Sequence, residues 1–133
     1  MYTVTKEIYF CYGHRLMHHA GKCRNLHGHS ARAVISVMAE TLDAQGMVRD
    51  FADIGISAAA FIDAHLDHNL LLHRDDPIVP LLRQSSERFL ALDEHPTAEV
   101  LARLIYRHMQ NEGFNVESVA LWETASAQAR YAE

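Results

Sequence analysis

The chain has 133 residues, 49% of them hydrophobic and 22% charged, with a formal net charge of −5. That size holds one core and predicts a single domain over 1–133. The acidic balance excludes a general nucleic-acid binder, which carries a basic surplus, and no apolar run approaches the ~20 residues that cross a bilayer. The start, Met1-Tyr2-Thr3-Val4-Thr5-Lys6-Glu7, lacks the basic stretch and apolar run of a secretory signal, so a cytoplasmic location is expected, with the two cysteines reduced.

Residues 2–12 are rich in Tyr, Thr, Val, Ile and Phe, with Val4, Ile8 and Phe10 at even spacing, which predicts a half-buried strand with His14 just past its end. Met17 to Gly21 reads as a solvated connecting loop. From Leu26 a second strand follows, placing His27, His29, Ala31, Ala33, Ile35, Val37 and Ala39 on one face. Asp43-Ala44-Gln45-Gly46 is a turn signal, and Met47 to Phe51 a short extended piece. A helix is expected from about Ala52 to Ala64, with Asp50 as N-cap, Asp53 in the first turn and Ile54, Ala58, Phe61 and Ile62 as its apolar stripe. After an Asp75-Asp76-Pro77 loop, Phe89 to Leu92 reads as a short strand. Pro96-Thr97-Ala98-Glu99 opens a second helix capped by Thr97, and Gly113 is placed to end it in the left-handed conformation. Val119, Leu121 and Glu123 then share one face of a strand, and Ala127, Ala129 and Tyr131 mark a last one.

The chemistry concentrates in Lys22-Cys23-Arg24-Asn25-Leu26-His27-Gly28-His29. On a strand, His27 and His29 project to one side, and His14 from a hairpin partner completes a three-nitrogen face, the donor set of a catalytic zinc. Gly28 lets backbone approach closely between them. Cys23, four residues before His27, reads as the reactive thiol and Cys11 as a packing one. Two further features stay open. Asp67-His68 lies among leucines and is either an acid–base pair or a helix-end histidine beside a solvated aspartate. Glu123 shares a face with Val119 and Leu121, so either the strand end is exposed or a ligand supplies donors to it.

Taken together, Phe10 to His14 with Arg15-Leu16, Lys22-Cys23, Leu26 to His29, Asp50-Phe51, Leu66-Asp67-His68, Pro96 to Glu99 and Glu123-Thr124 occur in the order found in the 6-pyruvoyltetrahydropterin synthase and 6-carboxytetrahydropterin synthase family, which the chain resembles over most of its length. The resemblance implies an α+β tunnelling fold (T-fold). Its expected form is an antiparallel four-stranded sheet with two helices packed on one face, oligomerising into a β-barrel as a homohexamer of two trimers. It implies Zn2+ held by His14, His27 and His29, Cys23 as the catalytic cysteine with Asp67 and His68 completing the proton relay, Glu123 gripping the pterin ring, and Thr97 and Glu99 lining the pocket. Arg15, Lys22 and Arg24 are candidates for the triphosphate.

The implied reaction converts 7,8-dihydroneopterin triphosphate to 6-carboxy-5,6,7,8-tetrahydropterin with release of triphosphate and acetaldehyde, for queuosine and other deazapurines. The neighbouring branch yields 6-pyruvoyltetrahydropterin. Gly13 stands where alanine is common and Leu72 where relatives carry a polar residue, and Cys23 argues against the folate branch, which places Glu there. A non-catalytic metal-binding T-fold protein and a zinc hydrolase of a small nucleotide are the competing readings. The first leaves Cys23, Asp67, His68 and Glu123 without a task, and the second requires a carboxylate base where this chain offers a thiol.

Overall fold

The computed structural model describes residues 1–133. In chain order the elements are β1 (Tyr2–His14), a 3-10 turn at Lys22–Arg24, β2 (His27–Ala39), α1 (Phe51–His65), β3 (Asn69–His73), α2 (Val79–Gln84), β4 (Leu90–Leu92), α3 (Ala98–Asn111), β5 (Val116–Thr124) and β6 (Ala127–Tyr131). β1 and β2 are 13 residues each and pair antiparallel over their whole length, from Tyr2 opposite Ala39 to His14 opposite His27. His14 is therefore the last residue of its strand rather than a residue beyond it. Alternation gives the pair one apolar face, with Phe10, Tyr12, His14, Ala31, Ala33, Ile35 and Val37 buried.

α1 and α3 cover that face. The Asp50 carboxylate accepts the Ala52 N–H at 2.8 Å and the Thr97 hydroxyl accepts the Val100 N–H at 3.3 Å, so both predicted caps form. Ile54, Ala58 and Ile62 of α1 and Leu101, Ala102, Ile105, Tyr106 and Met109 of α3 are buried against Ile35, Val37, Val119 and Leu121. Gly113, at φ +90, turns the chain out of α3. α1 packs on β1, α3 on β5 and β6.

The sheet has six strands rather than four, in the order β4-β3-β1-β2-β5-β6. β1, β2, β5 and β6 form its antiparallel part, and β3 with β4, the short strand expected at Phe89 to Leu92, adds a parallel flank: β3 runs parallel to β1 and β4 parallel to β3. β3 escapes a reading by alternation because Leu71 and Leu72, consecutive and on opposite faces, are both fully buried, the pattern of a parallel strand covered on both sides. A third, short helix, α2, carries Pro80 in its first turn, where the missing N–H costs nothing.

Along β1 the far face of the sheet is exposed, whereas at β3 it is covered, with Leu72 fully buried. The exposed part presents Tyr9, 73% exposed, with Cys11, and the Arg32 guanidinium lies 5.0 Å from the Trp122 ring centroid. The expectation of Cys11 as a packing thiol is thereby corrected: residue 11 has the opposite parity from Phe10 and Tyr12 and points away from the core.

One buried ion pair ties the end of β1 to the segment before α2. Arg15 donates through Nε to Asp76 Oδ2 at 2.7 Å and through Nη2 to Oδ1, and Asp76, 1% exposed, also accepts the Ile78 N–H at 2.9 Å. This engagement withdraws Arg15 from the candidates for the triphosphate. The Arg15 hydrogen bonds hold the Asp76 carboxyl below the usual carboxylate range. A depressed folded pKa contributes stability above the unfolded value of ~3.9 and loses it as pH falls through the lower folded value. Arg15→Met strands that carboxylate with a single backbone donor. We expect a loss of about 3 kcal/mol at pH 7 that shrinks as pH falls and Asp76 becomes protonated, read by denaturant titration across a pH series.

Candidate metal centre and ligand cavity

The full-length register of β1 and β2 sets His14 opposite His27, and parity adds His29 on the same face. One ring nitrogen from each of the three lies within 4.8 Å of those of the other two, and the His14 and His29 Nε2 atoms are 3.1 Å apart. His14 Nδ1–H donates to the Pro96 carbonyl and His27 Nδ1–H to the Asn25 carbonyl, both at 2.7 Å. Those bonds fix the tautomer that leaves each Nε2 lone pair aimed inward, the outer-shell arrangement of a metal-binding histidine. Burial lowers the pKa of His14 and of His29, so both favour the neutral form that a metal needs. The three imidazoles form a site that can bind a metal ion, and the residues present fit one.

Glu123 completes the cluster from β5. Trp122 pairs with Arg32, so the next side chain falls on the face of Leu121 and the imidazoles. Its Oε1 is 3.8 Å from His14 Nε2 and its Oε2 3.8 Å from His29 Nε2. Glu123 is half-buried beside His14 and His29. Tyr12, which the sequence reading passed over, donates its hydroxyl to Glu123 Oε1 at 2.8 Å. Its parity with Phe10 and His14 is the signal that places it there.

A cavity of about 330 Å³ opens beside the cluster, lined by His14, Leu16, Cys23, Thr97, Glu99, Glu123 and Gln128 among others. Cys23 is held by the turn that follows β1: the Leu16 N–H donates to the Cys23 carbonyl at 2.8 Å, and the 3-10 turn presents Lys22 and Arg24 to solvent on either side. A Cβ at Gly28 would come within 3.0 Å of the Tyr12 carbonyl oxygen, so the close approach expected there is real. The structure therefore gathers His14, His27, His29, Cys23, Thr97, Glu99 and Glu123 in one region.

Asp67 and His68 do not line the cavity of Cys23 and Glu123. Asp67 Oδ1 accepts the Cys11 N–H at 3.0 Å, the His68 N–H donates to the Cys11 carbonyl at 2.7 Å, and His68 Nδ1 pairs with Asp67 Oδ2 at 2.9 Å. The Cys11 N–H lowers the Asp67 pKa. His68 adopts φ +52, uncommon for a residue with a side chain, and its side chain is 78% exposed. His68 lines a larger hollow of about 740 Å³ that also takes in Cys11, His27, His29, Ser30 and Arg88. Arg88 caps the end of α1, donating to the carbonyls of Asp63, Ala64 and Asp67.

A curved sheet with its helices on one face, and a three-histidine centre at the root of its first hairpin, defines a T-fold protein of the pterin-synthase class. The sequence profile of the family described as 6-pyruvoyl tetrahydropterin synthase matches residues 3–133, and the chain belongs to that family. The 6-carboxy-5,6,7,8-tetrahydropterin synthase of Rickettsia typhi is 36% identical over 135 residues, covering 93% of this chain and 95% of its own; that of Haemophilus influenzae is 29% identical over the whole of both. Among solved structures, an uncharacterised protein of Wolinella succinogenes superposes with TM-score 0.82 at 28% identity, covering 99% and 98% of the two chains. The Caenorhabditis elegans 6-pyruvoyl tetrahydropterin synthase superposes with TM-score 0.74 at 20% identity, covering 99% and 95%, a likeness of fold. The protein is accordingly an enzyme, a lyase of the tetrahydropterin-synthase type.

If the three imidazoles are the ligand set, the purified protein carries one metal ion per chain. His27→Ala should then retain its fold and lose most of that metal, read by elemental analysis beside circular dichroism. Full metal content in the variant would move the centre elsewhere.

Proposed function

We propose that the enzyme converts 7,8-dihydroneopterin triphosphate and water to 6-carboxy-5,6,7,8-tetrahydropterin, triphosphate and acetaldehyde, a step toward queuosine and other deazapurines, with zinc as the metal at His14, His27 and His29. The observation that carries this reading is that His14 of the three-histidine cluster, the thiol of Cys23 and the carboxylate of Glu123 line one cavity. A hydrolase needs only the metal, a water and a base, and would leave the thiol idle.

A zinc ion at this site supplies Lewis acidity that makes the substrate's side-chain hydroxyls and adjoining C–H easier to deprotonate. Cys23, as thiolate, takes a proton from the side chain, with Lys22 and Arg24 flanking it toward the triphosphate. Glu123 accepts two parallel charge-assisted hydrogen bonds from the amino group and ring N–H of the pterin, and Thr97 and Glu99 border the ring. His68, oriented by Asp67, handles the proton at the other end of the side chain. Because that pair is clasped to the backbone of Cys11, whose side chain faces the opposite side of the sheet from His14, we place it in the cavity of an adjoining subunit. The relay then forms between copies of the chain.

The curated relatives near one-third identity are named as carboxy-product enzymes, which favours that branch over the pyruvoyl one. Incubating the zinc-loaded protein with dihydroneopterin triphosphate should release acetaldehyde and yield the 6-carboxy pterin by mass. A pyruvoyl product without acetaldehyde overturns the branch. Cys23→Ala should keep zinc and assembly while turnover falls ~10²- to 10⁴-fold, the range for a lost general base. Loss of zinc along with the cysteine would instead make its sulfur the fourth ligand of a closed structural site.

The exposed face along β1 and the open edges of the sheet support a homohexamer of two trimers, in which strands of neighbouring chains continue the sheet into a barrel. Light scattering at micromolar concentration should report several times the 15.1 kDa of one chain. A monodisperse monomer with full activity would overturn both the assembly and the shared relay.

A further inference from the structure

Tyr12 is more than a core aromatic. Its ring lies 5.7 Å from that of Phe10 and meets His14 edge-on at 5.1 Å and His29 at 5.5 Å, and the residue is only 3% exposed. Phenylalanine would fill the same space at less cost, because a hydroxyl removed from water is unfavourable unless it finds a partner. The partner here is Glu123 Oε1, at 2.8 Å. A phenolic O–H donates to a carboxylate oxygen, so the contact is a charge-assisted hydrogen bond.

Glu123 has reason to need holding. Its carboxylate stands 3.8 Å from two imidazole nitrogens, and the final torsion of a glutamate is broad, so the chain alone does not decide which way the two oxygens turn. An ionised carboxylate offers about four lone-pair directions. The Tyr12 hydroxyl takes one, on the oxygen nearer His14, and thereby sets the plane of the group.

We infer that Tyr12 is a positioning residue, whose hydroxyl fixes the Glu123 carboxylate so that its remaining lone pairs meet, side by side, the adjacent amino and N–H donors of a planar heterocycle entering the cavity. The inference rests on the pterin reading proposed above. It assigns the orientation of the ring to a pair of side chains from β1 and β5 rather than to Glu123 alone.

Tyr12→Phe tests it by deleting the hydroxyl and keeping the ring. The variant should fold and carry metal as the parent does. Its KM for dihydroneopterin triphosphate should rise about 10- to 100-fold, the worth of one hydrogen bond to a charged acceptor, with kcat changed less than about threefold. A merely structural role would not produce that split, nor the second readout: on a Glu123→Ala background, Tyr12→Phe should alter kcat/KM by less than about twofold, because the group it acts through is gone. An unchanged KM in the single variant, or an equal loss on both backgrounds, overturns the inference. If the parent turns over and binds the pterin while Tyr12→Phe is indifferent, only the role of Tyr12 fails. A parent that neither binds nor converts the substrate overturns the functional reading, and this inference with it.

Discussion

The register between β1 and β2 is the constraint on which the rest of the site depends. Thirteen consecutive cross-strand partners set His14 opposite His27, and a slip of one residue would send His14 or the His27–His29 pair to the exposed face. The register is over-determined. Phe10, Ala31, Ala33, Ile35 and Val37 all lie in the core with α1 and α3, and such a slip would turn either Phe10 and Tyr12 or the four β2 residues out of it. The imidazoles are thus aligned by a hydrophobic pattern far larger than the site, and the metal need not create the arrangement that receives it.

Burial then sets the chemical state of what the register aligns. His14 sits deep enough that losing water outweighs the Glu123 charge beside it, and its ring stays neutral with Nε2 available. The same low-dielectric setting makes the polar groups around it interdependent. Pro96 O fixes the His14 tautomer, and Pro96 itself is placed by the segment that the Thr97 cap joins to α3. A helix cap and a metal-ligand orientation therefore share one short stretch of chain. Change in that stretch is transmitted to the imidazole without touching any group that meets substrate.

Much of this was legible in the sequence because it follows period-two alternation and cap chemistry. His27 and His29 on one face, Asp50 and Thr97 as caps, Gly113 as terminator and Glu123 beside Leu121 all depend on local spacing. What escaped depends on partners distant in the chain. β3 is buried on both faces, so it has no alternation to read. Asp76 looked like a loop residue, and only its bond to Arg15, 61 positions away, explains why a charge is buried there. Cys11 was misread because a small thiol in an apolar strand suggests packing, whereas its parity sends it to the uncovered face. Tyr12 was passed over although its neighbours Phe10 and His14 had already fixed the direction of its side chain.

The candidate chemistry falls in two hollows that meet at the imidazoles. Glu123, Cys23 and His14 line one, whereas Asp67 and His68 are clasped to the backbone of Cys11 and His68 lines the other together with His27 and His29. His68 is held in a left-handed conformation that costs energy, with its N–H bonded to the Cys11 carbonyl and its neighbour Asp67 accepting the Cys11 N–H. Strain of that kind persists only where surrounding structure enforces it, yet within one chain the exposed imidazole has no partner but Asp67. The Cys11 clasp therefore presents the Asp67–His68 pair rigidly toward solvent.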